Sequence, residues 1–399
     1  MLPSLPSNLV VVIYILIFNY SFCFFMQTSV LPYLVKELGL DAVGYAYIQT
    51  LFNIIQFLGT PIYGRFGDIY GAKKALLLAF VSTILTYFFL AITDSVHFIV
   101  ISRLCAMFMS TMQGCQMVLA DVSDAKSRAG ALGKLSAFYT LGLIMGSLSA
   151  GYLITLFSTQ FTAWIATLGS ISVIPLILYF IPTSVKSDNA HLTSAKNTSL
   201  FDLSPWRHVL SIPGVIPIFM ICLLSGVPGM IWSSLLPIFS IDLFELEPHQ
   251  YGWLMTYLAV IRFIILTFGV SYFTSRFLEF NIILGSVLLK LVSYLLIGIY
   301  PSLIWYCLIS IPLSMADALF GAVSTTMLTN IVPESSTGLA LGLNYIGIGF
   351  VGMITPIVGG YLYSYLGYCL FACSVALLEV IALAYISSLG YSSTTTYES

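Results

Sequence analysis

Four ionisable residues stand near the middle of long apolar runs in the second half of the chain: Arg262, Lys290, Asp317 and Glu379. On insertion scales such a residue at the centre of a membrane helix costs roughly 2.5–3.5 kcal/mol, so it should face protein or a water-filled cavity. The four sum to zero, which argues for pairing. The first half has one counterpart, Arg103. Groups of this kind can bind a proton or a charged solute, because burial and a changing partner can move their proton affinity. The four histidines, His97, His191, His208 and His249, all fall in loops and are poorly placed for that task. Neutral polar residues in apolar surroundings could line a cavity: Asn19, Gln27, Gln49, Asn53, Gln56, Gln113 and Gln116. Gln49, Asn53 and Gln56 share one helix face at spacings of four and three. Trp232 and Tyr257 could offer ring faces to a cation.

These residues need elements to hold them, and composition says which. Of 399 residues, 59% are hydrophobic and 8% charged, against about 25% charged in a soluble domain. The composition excludes a soluble enzyme, a disordered chain and a nucleic-acid binder, and leaves an all-α integral membrane protein. Twelve apolar segments reach the roughly 20 residues that a spanning helix needs: 8–35, 43–64, 74–93, 96–120, 130–156, 161–181, 213–240, 250–273, 279–299, 302–330, 338–365 and 368–389. They are too long and too uniformly apolar for barrel strands. The seven cysteines form no CxxC spacing, so neither a disulfide framework nor a metal site is expected. No Gly-x4-Gly-Lys-Ser/Thr run exists for a nucleotide, so no cofactor is expected and energy should come from an ion gradient. No Ser/His/Asp cluster gathers within the spans, which argues against an enzyme.

Charge orients the chain. With the N-terminus inside, Arg65, Lys73, Lys74, Lys126, Arg128, Lys134, Lys186, Lys196, Arg207 and Arg276 fall in cytoplasmic connections, and Lys36 alone falls outside. This positive-inside bias predicts that both termini are cytoplasmic. The polar connection 182–212 divides a six-helix bundle over 1–181 from a second over 213–399 with a short tail. Its sequon at Asn197 is expected to be cytoplasmic and unused.

The halves repeat. Ala131-Leu-Gly133 recurs as Ala340-Leu-Gly342, and Ala150-Gly151-Tyr152-Leu153 as Gly359-Gly360-Tyr361-Leu362, at an offset of 209. Leu31-Pro32 recurs as Leu236-Pro237 at 205. Six spans per half insert both copies the same way up. A parallel repeat has its axis along the membrane normal and places a substrate site between the halves.

Two cytoplasmic turns carry glycine with charge. The first runs Gly64-Arg-Phe-Gly-Asp68-Ile-Tyr-Gly71-Ala-Lys73-Lys74. The second begins at Asp121 and reaches Arg128 and Gly133. Asp68 and Arg128 could pair and hold one conformation closed. The first pattern resembles the loop between the second and third helices of the major facilitator superfamily, with Ile69 where that family usually has a base. Gly133-x8-Gly142-x3-Gly146-Ser147-x2-Ala150-Gly151 resembles the fifth-helix motif of its drug–proton antiporters, with Ser147 for the usual Pro. Arg103 stands where those antiporters carry a fourth-helix Arg. The runs Phe25-Met26-Gln27, Leu31-Pro32-Tyr33-Leu34 and Gly64-Arg65-Phe66-Gly67-Asp68 look like a solute carrier branch of the same superfamily.

The resemblance implies a major facilitator fold of two parallel-repeat six-helix bundles, working by alternating access. It implies proton-coupled antiport of an organic cation or drug-like amine. It further suggests which helices line the cavity. Asp317 on the tenth and Arg262 on the eighth are expected to pair near it; Lys290 on the ninth and Glu379 on the twelfth are expected to form a structural pair outside it. Because the first helix lacks the Asp that many drug antiporters have there, Asp317 is the first proton acceptor and Glu379 the second. Gln27, Asn53, Gln113, Trp232 and Tyr257 complete the expected substrate lining. Gly64, Asp68, Gly71, Lys73, Asp121 and Arg128 are the expected gate, and Gly133, Gly142, Gly146 and Gly151 the helix-packing face. The expected partners are a small-molecule substrate, the proton and the bilayer, with a monomer in the plasma membrane. A uniporter or symporter of a neutral solute, and a transporter-like receptor or scaffold, remain open alternatives.

Overall fold

The computed structural model describes residues 7–122, 125–182, 209–333 and 337–395. Most of the central connection and its sequon lie outside them. The described residues form helices joined by short turns. In order they form α1 (Ser7–Glu37), α2 (Ala42–Tyr70), α3 (Ala72–Ala91), α4 (Val96–Cys105), α5 (Thr111–Val122), α6 (Ala125–Leu156), α7 (Thr159–Ser172) and α8 (Ile174–Phe180). There follow α9 (Val215–Asp242), α10 (Pro248–Ile264), α11 (Val270–Thr274), α12 (Glu279–Ile299), α13 (Leu303–Ile331) and α14 (Thr337–Thr395).

Among the described residues, ten stretches are long and apolar enough to cross a membrane. The expected twelve are reached by adding α2 and by dividing the last stretch. The α2 helix, which is not among the ten, carries Gln49, Asn53 and Gln56 in one run. The last stretch, Leu339–Leu389, counts once although Gly367 leaves helical geometry at φ 72 and ψ 174. Other expected spans are interrupted without ending. A 3-10 turn at Ala106–Phe108 separates α4 from α5, Val173 separates α7 from α8, and a π-helical stretch, Ile265–Gly269, joins α10 to α11. Stretches of this kind are common where helices serve function.

The described chain divides into two compact units. The first contains 1–41, 51–199 and 246–259, and the second 42–50, 200–245 and 260–399. In the first, α1 packs along α6, and α3 packs on α4, α5 and α7. In the second, α9 packs along α14, and α12 lies against both α13 and α14.

Glycine sets the closest approaches. A Cβ on Gly142 or Gly146 would run into the α1 backbone at Phe18 and Phe22. One on Gly151 would meet Pro248 and His249 at the start of α10. Its repeat partner Gly360 approaches the start of α2, where the missing Cβ would meet the Ala46 Cβ at 2.6 Å and the Ala42 carbonyl at 3.4 Å. Thus the 209-residue repeat is visible as one close helix approach in each unit. Gly133 departs from the expected packing face, since nothing lies within 4 Å of the Cβ it lacks. It precedes Gly142 by nine residues, about two and a half helical turns, and so points the opposite way.

Many hydroxyl groups find their partner within their own helix. Thr28, Ser29, Thr83, Thr86, Thr167 and Ser170 each donate to the carbonyl four residues back, a pairing internal to the helix.

Candidate functional site

Four helices of the second unit bring charge together. Lys290 of α12 is 2% exposed, and its Nζ lies 3.0 Å from Asp317 Oδ1 of α13 and 3.6 Å from Glu379 Oε1 of α14. The same ammonium donates to the Ser225 carbonyl of α9 at 2.9 Å and lies 3.3 Å from Ser225 Oγ. Ser225 Oγ in turn donates to Glu379 Oε2 at 3.1 Å. Phe320 presents its ring to Lys290 Nζ at 4.6 Å. Desolvating ions in this way is tolerable only when the remaining donors and acceptors are met.

The local sequence explains why α9 can serve this cluster. Residues 225–229 read Ser-Gly-Val-Pro-Gly. Pro228 has no N–H, so the Leu224 carbonyl lacks its usual helical donor, and the neighbouring Ser225 carbonyl accepts from Lys290. Gly229 leaves room in front of Asp317: a Cβ there would sit 3.7 Å from Asp317 Oδ1 and 3.8 Å from the Tyr294 hydroxyl. That hydroxyl is buried and has no hydrogen-bond partner among the described residues.

Exposure separates the two carboxylates. Glu379 is 0% exposed, whereas the Asp317 side chain is 36% exposed. With all three groups ionised, the trio carries one excess negative charge. It can hold one further cation, whether a proton or a positively charged solute, beside Asp317.

This arrangement corrects the expected pairing. Asp317 pairs with Lys290, not with Arg262. Arg262 is exposed on α10, and no ion pair joins it to Asp317 among the described residues. Lys290 is shared by both acids rather than reserved for Glu379. Trp232 is also displaced from its expected role. It is 4% exposed and packed among Phe239, Tyr294, Tyr306, Tyr368 and Phe371, with centroids 4.9–6.3 Å away. It braces the site from behind and offers no open face.

Tyr257 and Asn53 are half-buried on α10 and α2. Gln27 of α1 is 2% exposed, and its amide Nε2 has no hydrogen-bond partner among the described residues. Gln113 is half-buried on α5, its Nε2 3.2 Å from where a Gly64 Cβ would stand. Gly64 is therefore a close approach of α2 to α5. Gly71 begins α3 at φ 86, a backbone that glycine adopts readily. Lys73 donates to the Leu178 carbonyl of α8 at 2.8 Å. Asp68 is exposed. The side chains of Asp121 and Arg128, and with them the expected latch, lie outside the described residues. Arg103 is 2% exposed and lies over the Phe52 ring at 5.4 Å. No group of three His, Cys, Asp or Glu side chains that could hold a metal ion occurs among the described residues.

Ser225, Gly229, Tyr294 and Phe320 were not among the expected site residues. The small-residue and proline run 225–229 inside an apolar span was the one signal that could have marked α9.

The chain is similar in sequence and fold to known proteins. The family model of the Major Facilitator Superfamily matches residues 13–297 and 229–391. Solute carrier family 22 member 18 of Rattus norvegicus is 32% identical over 370 residues, covering 91% of this chain and 90% of that protein. Multidrug resistance protein 1 of Bacillus subtilis is 24% identical over 357 residues, with 89% and 90% covered. Among solved structures, the nucleoside transporter NupG superposes with a TM-score of 0.77 at 16% identity, over 95% of this chain and 99% of that one. The chain is a multi-pass membrane protein that belongs to the Major Facilitator Superfamily of transporters.

Proposed function

We propose that the chain is a secondary active transporter that exchanges protons for an organic cation or drug-like amine by alternating access. The observation that carries this reading is the ratio at Lys290, where two carboxylates meet one ammonium at 3.0 and 3.6 Å. The excess negative charge can be neutralised by a proton or by a cationic substrate, and one excludes the other. Antiport requires that exclusion. Asp317, whose side chain is 36% exposed, is the member that substrate reaches. Glu379, buried and bonded to Ser225, keeps Lys290 paired when Asp317 turns to its cargo. The similarity to a multidrug resistance protein and to a solute carrier supports a small organic substrate. We place both termini in the cytoplasm on the positive-inside bias, and the protein in the plasma membrane as a monomer.

A second reading has one observation in its favour: the donors of Lys290 are occupied. The trio would then be a static brace, and the chain a uniporter or symporter of a neutral solute, or a receptor without turnover. Purified protein in liposomes with an imposed pH gradient separates the readings. Antiport predicts gradient-driven flux of cationic compounds that Asp317→Asn abolishes. Cation flux that ignores the gradient, or neutral solutes as the sole cargo, refutes it.

A further inference from the structure

The second unit contains a cavity that the charged trio does not use. It measures about 240 Å³ and is lined by Phe273 and Phe277, by Asn281, Ile282, Gly285, Ser286 and Leu289 of α12, and by Met315 and Leu319 of α13. It lies below the roughly 300–1,000 Å³ of pockets that enclose drug-sized ligands, so it takes part of a chain rather than a whole substrate. Its surroundings are those of a site entered from lipid. Phe277, Leu278, Phe280 and Leu288 are exposed apolar residues beside it, and the Cβ that Gly285 lacks would meet open space.

Two polar features give the cavity a direction. Arg276 stands in the turn between Phe273 and Phe277, two of the lining residues, and its N–H donates to the Phe273 carbonyl at 3.1 Å. Its guanidinium is exposed and rests over the Tyr272 ring at 4.1 Å, with one nitrogen on the Tyr272 hydroxyl. A guanidinium has five N–H donors in a planar fork suited to phosphate, so most remain for a ligand. Inside the cavity, Ser286 is 3% exposed, and its hydroxyl has no hydrogen-bond partner among the described residues. Buried hydroxyls ordinarily have one, and an ester carbonyl would supply it.

We infer that this cavity binds the acyl chain of an anionic phospholipid, with the lipid phosphate on Arg276 and an ester carbonyl near Ser286. The sequence places Arg276 among the cytoplasmic basic residues, on the leaflet that carries anionic lipid. The site also borders the charged trio through the chain. Ser286 is one turn from Lys290 on the same helix, and Met315 and Leu319 flank Asp317 on α13. A bound acyl chain therefore packs between the two helices whose side chains form the 3.0 Å ion pair.

The test is native mass spectrometry of the purified full chain with phosphatidylserine and phosphatidylcholine of identical acyl chains. Wild type should retain one phosphatidylserine with a preference of about fivefold over phosphatidylcholine, the effect of one basic residue near a lipid surface. Arg276→Gln should bring that preference close to one without removing lipid. Gly285→Phe, which fills the cavity, should remove retention of both lipids. Millimolar inorganic phosphate should leave the bound lipid in place, since the chain and not the headgroup alone is held. Unchanged retention in Gly285→Phe, an unchanged preference in Arg276→Gln, or displacement by phosphate would each overturn the inference. The readout is independent of transport, so failure of the lipid site and failure of proton antiport remain distinguishable. Should Gly285→Phe not fold, the Arg276→Gln preference decides alone.

Discussion

The two units share a fold and differ in how they use polar groups. In the interior of the first, neutral side chains reach backbone carbonyls of neighbouring helices: Tyr20 to Met109 at 3.3 Å, Gln56 to Ala106, and Ser82 to Cys105. Ser82 also accepts from the Phe108 N–H at 3.2 Å, so one hydroxyl braces both sides of the 3-10 interruption. The second joins four helices through an ammonium and two carboxylates. A neutral bridge is satisfied once and for all. A trio with one excess charge has two ways to be satisfied, which is what the proposed exchange requires. The difference teaches that one repeated scaffold can be joined in two ways, with two carboxylates and one ammonium meeting in the second unit.

The largest test of this contrast removes one partner from each. Lys290→Met leaves two buried or half-buried carboxylates facing each other. Breaking a buried pair in this way costs about 3–5 kcal/mol, and the thermal unfolding midpoint in detergent should fall accordingly. Ser82→Ala leaves a carbonyl and an N–H unmet at a helix interruption, for roughly 1–3 kcal/mol. Equal losses in the two variants would erase the distinction between a charged and a neutral joint.

Sequence reading found the members of the trio and missed their grouping, for a physical reason. Lys290, Asp317 and Glu379 are conspicuous because charge is expensive at the centre of an apolar run. Their partners depend on helix rotation and tilt, which hydropathy does not encode. Counting Arg262 with them made the set neutral and suggested two closed pairs. Arg262 instead stands exposed, and the remaining three leave a charge over. Trp232 failed as a ligand face for a related reason: an aromatic residue looks alike in sequence whether it meets a solute or five other rings. The spans themselves were legible because length and apolarity are linear properties. Their interruptions at Ala106–Phe108 and Ile265–Gly269 have no comparable linear mark.

The next test asks whether the excess charge is used. Proton and cation neutralise the same site, so acidifying the binding side should weaken cation binding, and raising the pH should strengthen it. Asp317→Asn leaves Lys290 with Glu379 and no charge to spare. Two unit charges about 4 Å apart in a medium of effective dielectric constant near 20 interact by about 4 kcal/mol. Even after partial screening, the cation affinity of Asp317→Asn should fall on the order of a hundredfold, with no pH dependence remaining. Glu379→Gln also makes the trio neutral and ties Asp317 to Lys290 as its sole counter-ion. Cation affinity should fall there as well, while unfolding changes less than in Lys290→Met, because no carboxylate is left unpaired. Equilibrium binding of a radiolabelled cation across pH reads both. A pH-independent affinity in the wild-type protein would reduce the trio to a brace and return the two units to equivalence.

The smallest effects sharpen the comparison from the side of the scaffold, where the units should behave alike. Gly146 lies so near the Phe22 backbone that a Cβ has no space unless α1 and α6 part. Gly146→Ala should therefore cost about 1–3 kcal/mol, the usual range for overpacking. Gly151 faces the backbone of α10, and Gly360 faces the Ala46 Cβ of α2. Alanine at either should lower the unfolding midpoint by a similar step, since the repeat gives them one role. Gly133 sits on the same helix as Gly146 with open space around it. There alanine removes glycine's conformational penalty and adds no clash, so Gly133→Ala should stabilise by roughly 0.5–1 kcal/mol. Opposite signs for two glycines of one sequence motif follow from the nine-residue spacing that turns Gly133 away from the face of Gly142 and Gly146. If instead Gly133→Ala is as damaging as Gly146→Ala, then Gly133 contacts something in a conformation of the transport cycle other than this one. The motif would in that case belong to the moving parts as well as to the packing of α1 against α6.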